Sequence, residues 1–223
     1  MFKEFLKLWS QEKTLLEEMN DMFDEMLEKS EKNFHDVTEA LFLGGNLPQL
    51  KVQVRAEDHE INKLEQAIRR KIVTHLSVGI SSLANINTGL ILMSVVKDVE
   101  RIGDYAKNIF EVFEKTSILQ EDAYHDRLLE IRNTILETFK DVKFSYKESN
   151  EARARTAISV VSQYKDKCDA IVEELLDNPV QFAVAYALLA RFFKRTLGHL
   201  GNIATSVVMP LDKLDYLDEK SLA

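Results

Sequence analysis

From one chain breaker to the next this sequence runs on for about 28 to 43 residues, far beyond the ~11 to 12 of an average helix and beyond any ordinary strand. The breaks fall at Gly44-Gly45 with Pro48, around Gly79 to Gly89, near Thr116 to Glu121, at Ser149-Asn150, at Asn178-Pro179 and at Pro210. Seven glycines and three prolines in 223 residues leave too little turn chemistry for a sandwich, a barrel or a doubly wound sheet. Six long helices are the remaining solution. Within the third segment Leu92, Val95, Val99, Ile102, Ala106, Ile109 and Phe113 alternate spacings of three and four, the mark of a narrow apolar seam against a partner helix. Leu15, Met19, Met22 and Met26 repeat the pattern in the first. Asn178 followed by Pro179 reads as an N-cap and first-turn pair opening the last helix. The tail from Leu211 to Ala223 reads as frayed or partner-binding.

Several function classes drop out on composition. A net charge of −8 disfavours a nucleic-acid binder, because phosphate backbones select basic surfaces. It equally disfavours a tightly held phosphate ion unless a local cluster overrides the global field. The single cysteine, Cys168, makes neither an intramolecular disulfide nor a cysteine-based zinc site. The start, MFKEFLKLW, lacks the basic region and apolar run of a secretion signal. The most apolar stretch, Val180 to Phe193, is shorter than the ~20 residues that span a bilayer and contains Gln181 and Arg191. A cytoplasmic protein is expected. Phe2, Phe5, Trp9 and the methionines of the first segment suit core packing better than membrane adsorption, since Asp and Glu alternate with Lys on the polar face.

No GxGxxG, GxxxxGK[ST], GxSxG or HExxH occurs, which speaks against an enzyme. A ferritin-like di-iron site needs Glu-x-x-His pairs, and none of His35, His59, His75, His125 and His199 follows a glutamate by three. Acidic residues four apart are more informative. Glu100 and Asp104 project from one face of a helix and can close on one cation, and Asp58 and Asn62 share the spacing. The Glu100/Asp104 stripe lies well over 90° around the helix from the apolar seam, which predicts a surface site. Gly103 between them, mid-helix, implies close approach of another helix or of an ion. His59, beside the acidic pair, reads as a solvated histidine.

Lys97-Asp98-Val99-Glu100-Arg101-Ile102-Gly103-Asp104-Tyr105-Ala106-Lys107-Asn108-Ile109 resembles the KDxERIGDxAxNI signature of PhoU-like phosphate-uptake regulators, and Asp58 to Glu65 resembles that family's acidic partner segment. The resemblance covers the chain from Lys51 to Pro210. It implies an all-α fold, two tandem three-helix repeats forming an elongated six-helix bundle, divided as 1–116, 117–210 and a tail at 211–223. It implies metal held by Asp58, Asn62, Glu100 and Asp104, as a multinuclear iron or zinc cluster. It also implies regulation of phosphate transport and signalling through contact with phosphate transporter components or a sensor histidine kinase at the inner face of the membrane. A homodimer is left open; the rival reading is a structural helical adaptor without metal.

Placing Ala67-Ile68 on Ala170-Ile171 and Asn108-Ile109 on Asn202-Ile203 aligns the halves, with a loop nine residues longer in the first. Asp58 then falls on Val161, Asn62 on Lys165, Glu100 on Lys194 and Asp104 on Gly198. The second repeat therefore keeps the frame, and Arg195 in place of Arg101, but none of the ligands. Lys194 and Arg195 read as a basic spot or as solvated side chains.

Overall fold

In the computed structural model, which describes residues 2–77, 83–116 and 122–214, every long segment is a helix. They are α1 (Phe2–Leu43), α2 (Leu47–Ser77), α3 (Leu83–Thr116), α4 (Ala123–Lys147), α5 (Glu151–Asp177) and α6 (Ala183–Val208). No strand occurs among the described residues. Two three-helix groups, α1–α3 and α4–α6, pack internally and meet mainly along α3 and α6, with a smaller contact between α1 and α4.

The breakers act where backbone geometry demands them. Gly44 takes φ 81° after α1, a left-handed conformation that only glycine adopts without strain, and its N–H donates to Ala40 O at 2.9 Å. At Gly45 a Cβ would lie 2.8 Å from Ala40 Cβ, so this turn admits no side chain there. Asp122 caps α4, its carboxylate accepting from Tyr124 N and His125 N at 2.9 and 3.0 Å. Its other oxygen accepts from Tyr186 Oη at 2.8 Å, which ties the start of α4 to α6. Asn150 caps α5 through Arg153 N at 3.0 Å.

Asn178 does not open the last helix. Its N–H donates to Glu174 O at 2.9 Å, so it closes α5, and Ala183 N bonding to Val180 O at 3.1 Å makes a separate turn before α6. The residue before α6 is Phe182, at φ 62° and without a side-chain cap. The Asn-Pro pair resembles a start signal, but the preceding apolar register, through buried Leu175, carries α5 to Asp177. The tail also differs from expectation where it is described: Leu211–Lys213 is a 3-10 turn, Leu214 is buried and the turn lies against α3. Residues beyond 214 lie outside the described residues, as do the side chains of Phe2, Phe5 and Trp9.

All seven seam residues of α3, from Leu92 to Phe113, are buried. Met19 and Met26 are fully buried, with Leu15 and Met22 packed at the core's edge, so the stripe in α1 is core. Phe34 of α1 stands between Phe139 of α4 and Phe193 of α6, with ring centroids 6.1 and 5.7 Å away. This aromatic triplet joins the two groups through the apolar centre, where edge and offset contacts add to area burial.

Candidate functional site

The groove between α2 and α3 holds the four expected residues in two groups, Asp58, Asn62 and Asp104 about Lys107 and Glu100 with Glu65 about Lys97, and adds cations that the sequence reading did not assign. Asn62 Nδ2 donates to Asp58 Oδ2 at 3.4 Å within α2. Lys107 of α3 reaches between the helices, its Nζ 2.8 Å from Asp58 Oδ1 and 2.9 Å from Asp104 Oδ1. Arg101 Nη1 donates to Asp104 Oδ2 at 3.1 Å. Lys97 Nζ lies 2.7 Å from Glu100 Oε2 and 3.8 Å from Glu65 Oε1, and Arg69 Nη2 is 3.1 Å from that same Glu65 oxygen. Despite these neighbours, Glu65 Oε1 and Glu100 Oε2 are buried and receive no aligned hydrogen bond.

The acidic stripe is less exposed than its angle on α3 predicts. The Glu100 side chain is 12% exposed, Asp58 18% and Asp104 28%. The stripe does turn away from the seam, but α2 lies along that flank and covers it. Gly103 is what lets α2 come so near: a Cβ there would stand 3.2 Å from Ile61 Cδ1. His59 is exposed.

Electrostatically the groove is a carboxylate cluster with its own counter-ions. Partial burial pushes the Lys107 ammonium down, but the hydrogen bonds it donates to Asp58 and Asp104 outweigh that and raise its pKa above the usual lysine range. Chemically the donors are hard oxygens suited to a multivalent or borderline cation, and two buried carboxylate oxygens are left without aligned partners. Sterically, the lysine ammonium stands where an ion between Asp58 and Asp104 would have to stand. Glu65, Arg69, Lys97 and Lys107 are residues of this groove that sequence reasoning left out. The Lys97–Glu100 and Asp104–Lys107 spacings of three were available as a signal, but the contacts across to α2 were not.

Among the described residues, the three acidic or histidine side chains with ligating atoms mutually within 4.8 Å are His35, Asp36 and Glu39 on α1. There Asp36 is already bonded by Lys32 at 2.9 Å and by Gln53. A cleft of about 970 Å³ lies among α1, α4 and α5, where Glu31, Lys32, His35, Arg132, Glu137 and Lys140 mix both signs of charge.

Residues 23–113, spanning the second half of α1, all of α2 and nearly all of α3, match the PhoU domain family model. That part of the chain is similar to PhoU domains. The likeness extends in fold to the second repeat. PhoU from Pseudomonas aeruginosa superposes with a TM-score of 0.76 at 19% identity, covering 88% of this chain and 96% of that one. The phosphate transport system regulatory protein PhoU from Streptococcus pneumoniae superposes with a TM-score of 0.76 at 17% identity, covering 92% and 97%. No curated protein sequence matches this chain. The PhoU-domain match contains Asp58, Asn62, Glu100 and Asp104, and ends before the repeat in which those positions change chemistry.

In that second repeat Val161 is buried in the core, while Lys165, Lys194 and Gly198 line a cleft between α5 and α6. Lys194 pairs with Asp169.

Proposed function

We propose that this protein regulates phosphate transport and phosphate signalling, acting from the cytoplasmic side by contact with phosphate transporter components or a sensor histidine kinase. The PhoU-domain match over residues 23–113 carries this reading. The whole-chain likeness in fold to the phosphate transport system regulatory protein of Streptococcus pneumoniae supports it. Regulation by contact needs a rigid surface and no turnover, and packed helices of 25 to 42 residues offer one. Among the described residues no helix is long and apolar enough to cross a membrane, so influence on a transporter would pass through a membrane-bound partner.

Metal belongs to the same reading. Asp58, Asn62, Glu100 and Asp104 are its proposed ligands, with iron or zinc matching the oxygen donors. Lys107 must leave Asp58 and Asp104 for the ion to enter. One observation favours the metal-free adaptor: Lys97, Arg101 and Lys107 already neutralise much of the acidic groove.

Deletion of the gene tests the function. Uptake of labelled phosphate, or phosphate-responsive expression, should change in the deletion strain. Co-purification from cells grown in high and low phosphate should recover a transporter subunit or a kinase. Unaltered uptake and signalling across phosphate concentrations would leave the structural adaptor as the better account.

A further inference from the structure

Aligned on each other, the two repeats keep two cations at matching positions of the α2–α3 and α5–α6 grooves, while Lys107 becomes Gly201 and the carboxylates of the first groove are lost from the second. Lys97 corresponds to Arg191 and Arg101 to Arg195. Against these retained cations, Asp58 becomes Val161, Glu65 becomes Cys168, Asp104 becomes Gly198 and Glu100 becomes a further cation, Lys194. Asn62 becomes Lys165. The result is a cleft of about 340 Å³ lined by Lys165 of α5 and by Arg191, Lys194, Arg195, His199 and Asn202 of α6, with no carboxylate in its lining.

Compensation from neighbouring helices is partial. Asp169 pairs with Lys194 and lies 3.8 Å from Arg191, and Asp98 of α3 binds His199 and Asn202 from behind. Lys165 and Arg195 have no ion pair or hydrogen bond among the described residues. Gly198 opens the cleft between them: a Cβ built there meets nothing within 4 Å. Four cationic side chains converging on one hollow repel one another, and the repulsion is relieved by an anion held between them. This local field stands against a whole-chain charge of −8, so it is a concentrated feature and not part of a generally basic surface.

We propose that the α5–α6 cleft is a binding site for a small phosphoryl anion, inorganic phosphate or diphosphate. A guanidinium presents paired N–H donors that match two oxygens of a phosphoryl group, and two arginines flanking two lysines suit a multiply charged oxyanion better than chloride. The cleft lies at the bottom of the ~300 to 1,000 Å³ range of ligand pockets, which suits a compact ion. The proposal goes beyond the regulatory reading and does not depend on it, because binding is read on the purified full-length chain.

The test is isothermal titration and thermal melting of the full chain with inorganic phosphate and, separately, diphosphate, with chloride at matched ionic strength as reference. One site per chain and a rise in Tm are expected for at least one of the two probes, and the tighter arm identifies the form of the ligand. Lys165→Ala with Arg195→Ala should weaken binding at least about tenfold, the scale set by losing charge-assisted contacts. Neither residue holds a partner, so the fold is spared. Gly198→Asp, which returns to the second repeat the carboxylate present in the first, should abolish binding without a clash. Arg55→Ala with Lys63→Ala, on α2, should leave it unchanged. Absence of heat and of Tm shift with both probes at millimolar concentration overturns the proposal, as does undiminished binding in the Lys165/Arg195 and Gly198 variants.

Discussion

His199 Nδ1 of α6 donates to Asp98 Oδ1 of α3 at 2.8 Å, and Asn202 Nδ2 donates to the same oxygen at 2.8 Å, so a nearly buried carboxylate clamps the two repeats together. His199 also stacks on Tyr105 at 5.8 Å, and these two occupy equivalent places in their repeats. Asp98→Ala leaves the imidazole and the amide without their shared acceptor and should cost about 2 kcal/mol, with Asp98→Asn costing less because it keeps one acceptor. Urea denaturation checks this through a lower midpoint at unchanged slope. An unshifted midpoint for the alanine variant would show that the clamp does not contribute.

Gly103 separates helix propensity from packing. Alanine gains about 0.5 to 1 kcal/mol of helix propensity, but its Cβ meets Ile61 Cδ1 at 3.2 Å, and only the mobile end of that side chain needs to yield. Gly103→Ala should fall within about 0.5 kcal/mol of the parent, whereas Gly103→Val should lose about 1 to 3 kcal/mol by overpacking the α2–α3 contact. Ile61→Val in the valine background should recover part of that loss. Equal stability of the alanine and valine variants would contradict the close approach.

Cys168 reports on the integrity of the second repeat. Burial, aided by the charge of Asp169, pushes its thiol from 9.0 up to about 12. The folded state therefore holds the proton more tightly than the unfolded chain. The resulting stability is fully present below about pH 9 and is lost as pH rises towards about 12. Alkylation of the native protein should stay slow from neutral pH to about pH 9, and in denaturant should rise nearly tenfold per pH unit up to about pH 8 and level off as the thiol ionises. Fast labelling of the native chain at neutral pH would place the thiol in an open environment.

Metal in the α2–α3 groove has to compete with Lys107. Glu100→Ala with Asp104→Ala should remove stoichiometric iron or zinc and leave the helical circular dichroism unchanged. Lys107→Met should lower the metal-free Tm, because Asp58 and Asp104 then face each other unneutralised, and it should tighten metal binding. At a hundredfold excess over Kd, binding to the folded state contributes about 2.7 kcal/mol, or roughly 5 to 10 °C in Tm for a chain of this size. Elemental analysis of all three proteins decides the matter. Metal absent from both the parent and the Lys107 variant under supplementation leaves a groove neutralised by its own lysines.

Much of this architecture is local and was therefore legible in residue order. Three-and-four spacing from Leu92 to Phe113 marks a buried seam wherever a partner helix lies, because 3.6 residues per turn puts those side chains on one stripe. The same arithmetic puts Glu100 beside Asp104 and Asp58 beside Asn62. Helix ends are weaker signals: Asn178-Pro179 has the chemistry of a start, and the backbone uses it as a stop because Asn178 N–H is already committed to Glu174 O. What the sequence by itself did not determine are the encounters between helices. Lys107 between Asp58 and Asp104, α2 covering Glu100, Asp98 holding His199 and the cations gathered between α5 and α6 all depend on which helix flanks lie side by side. That choice is made by the apolar core as a whole, through contacts such as Phe34 with Phe139 and Phe193. Charged side chains then take whatever partners the packing brings within reach, since exchanging one surface ion pair for another changes the free energy by little against the burial of the core.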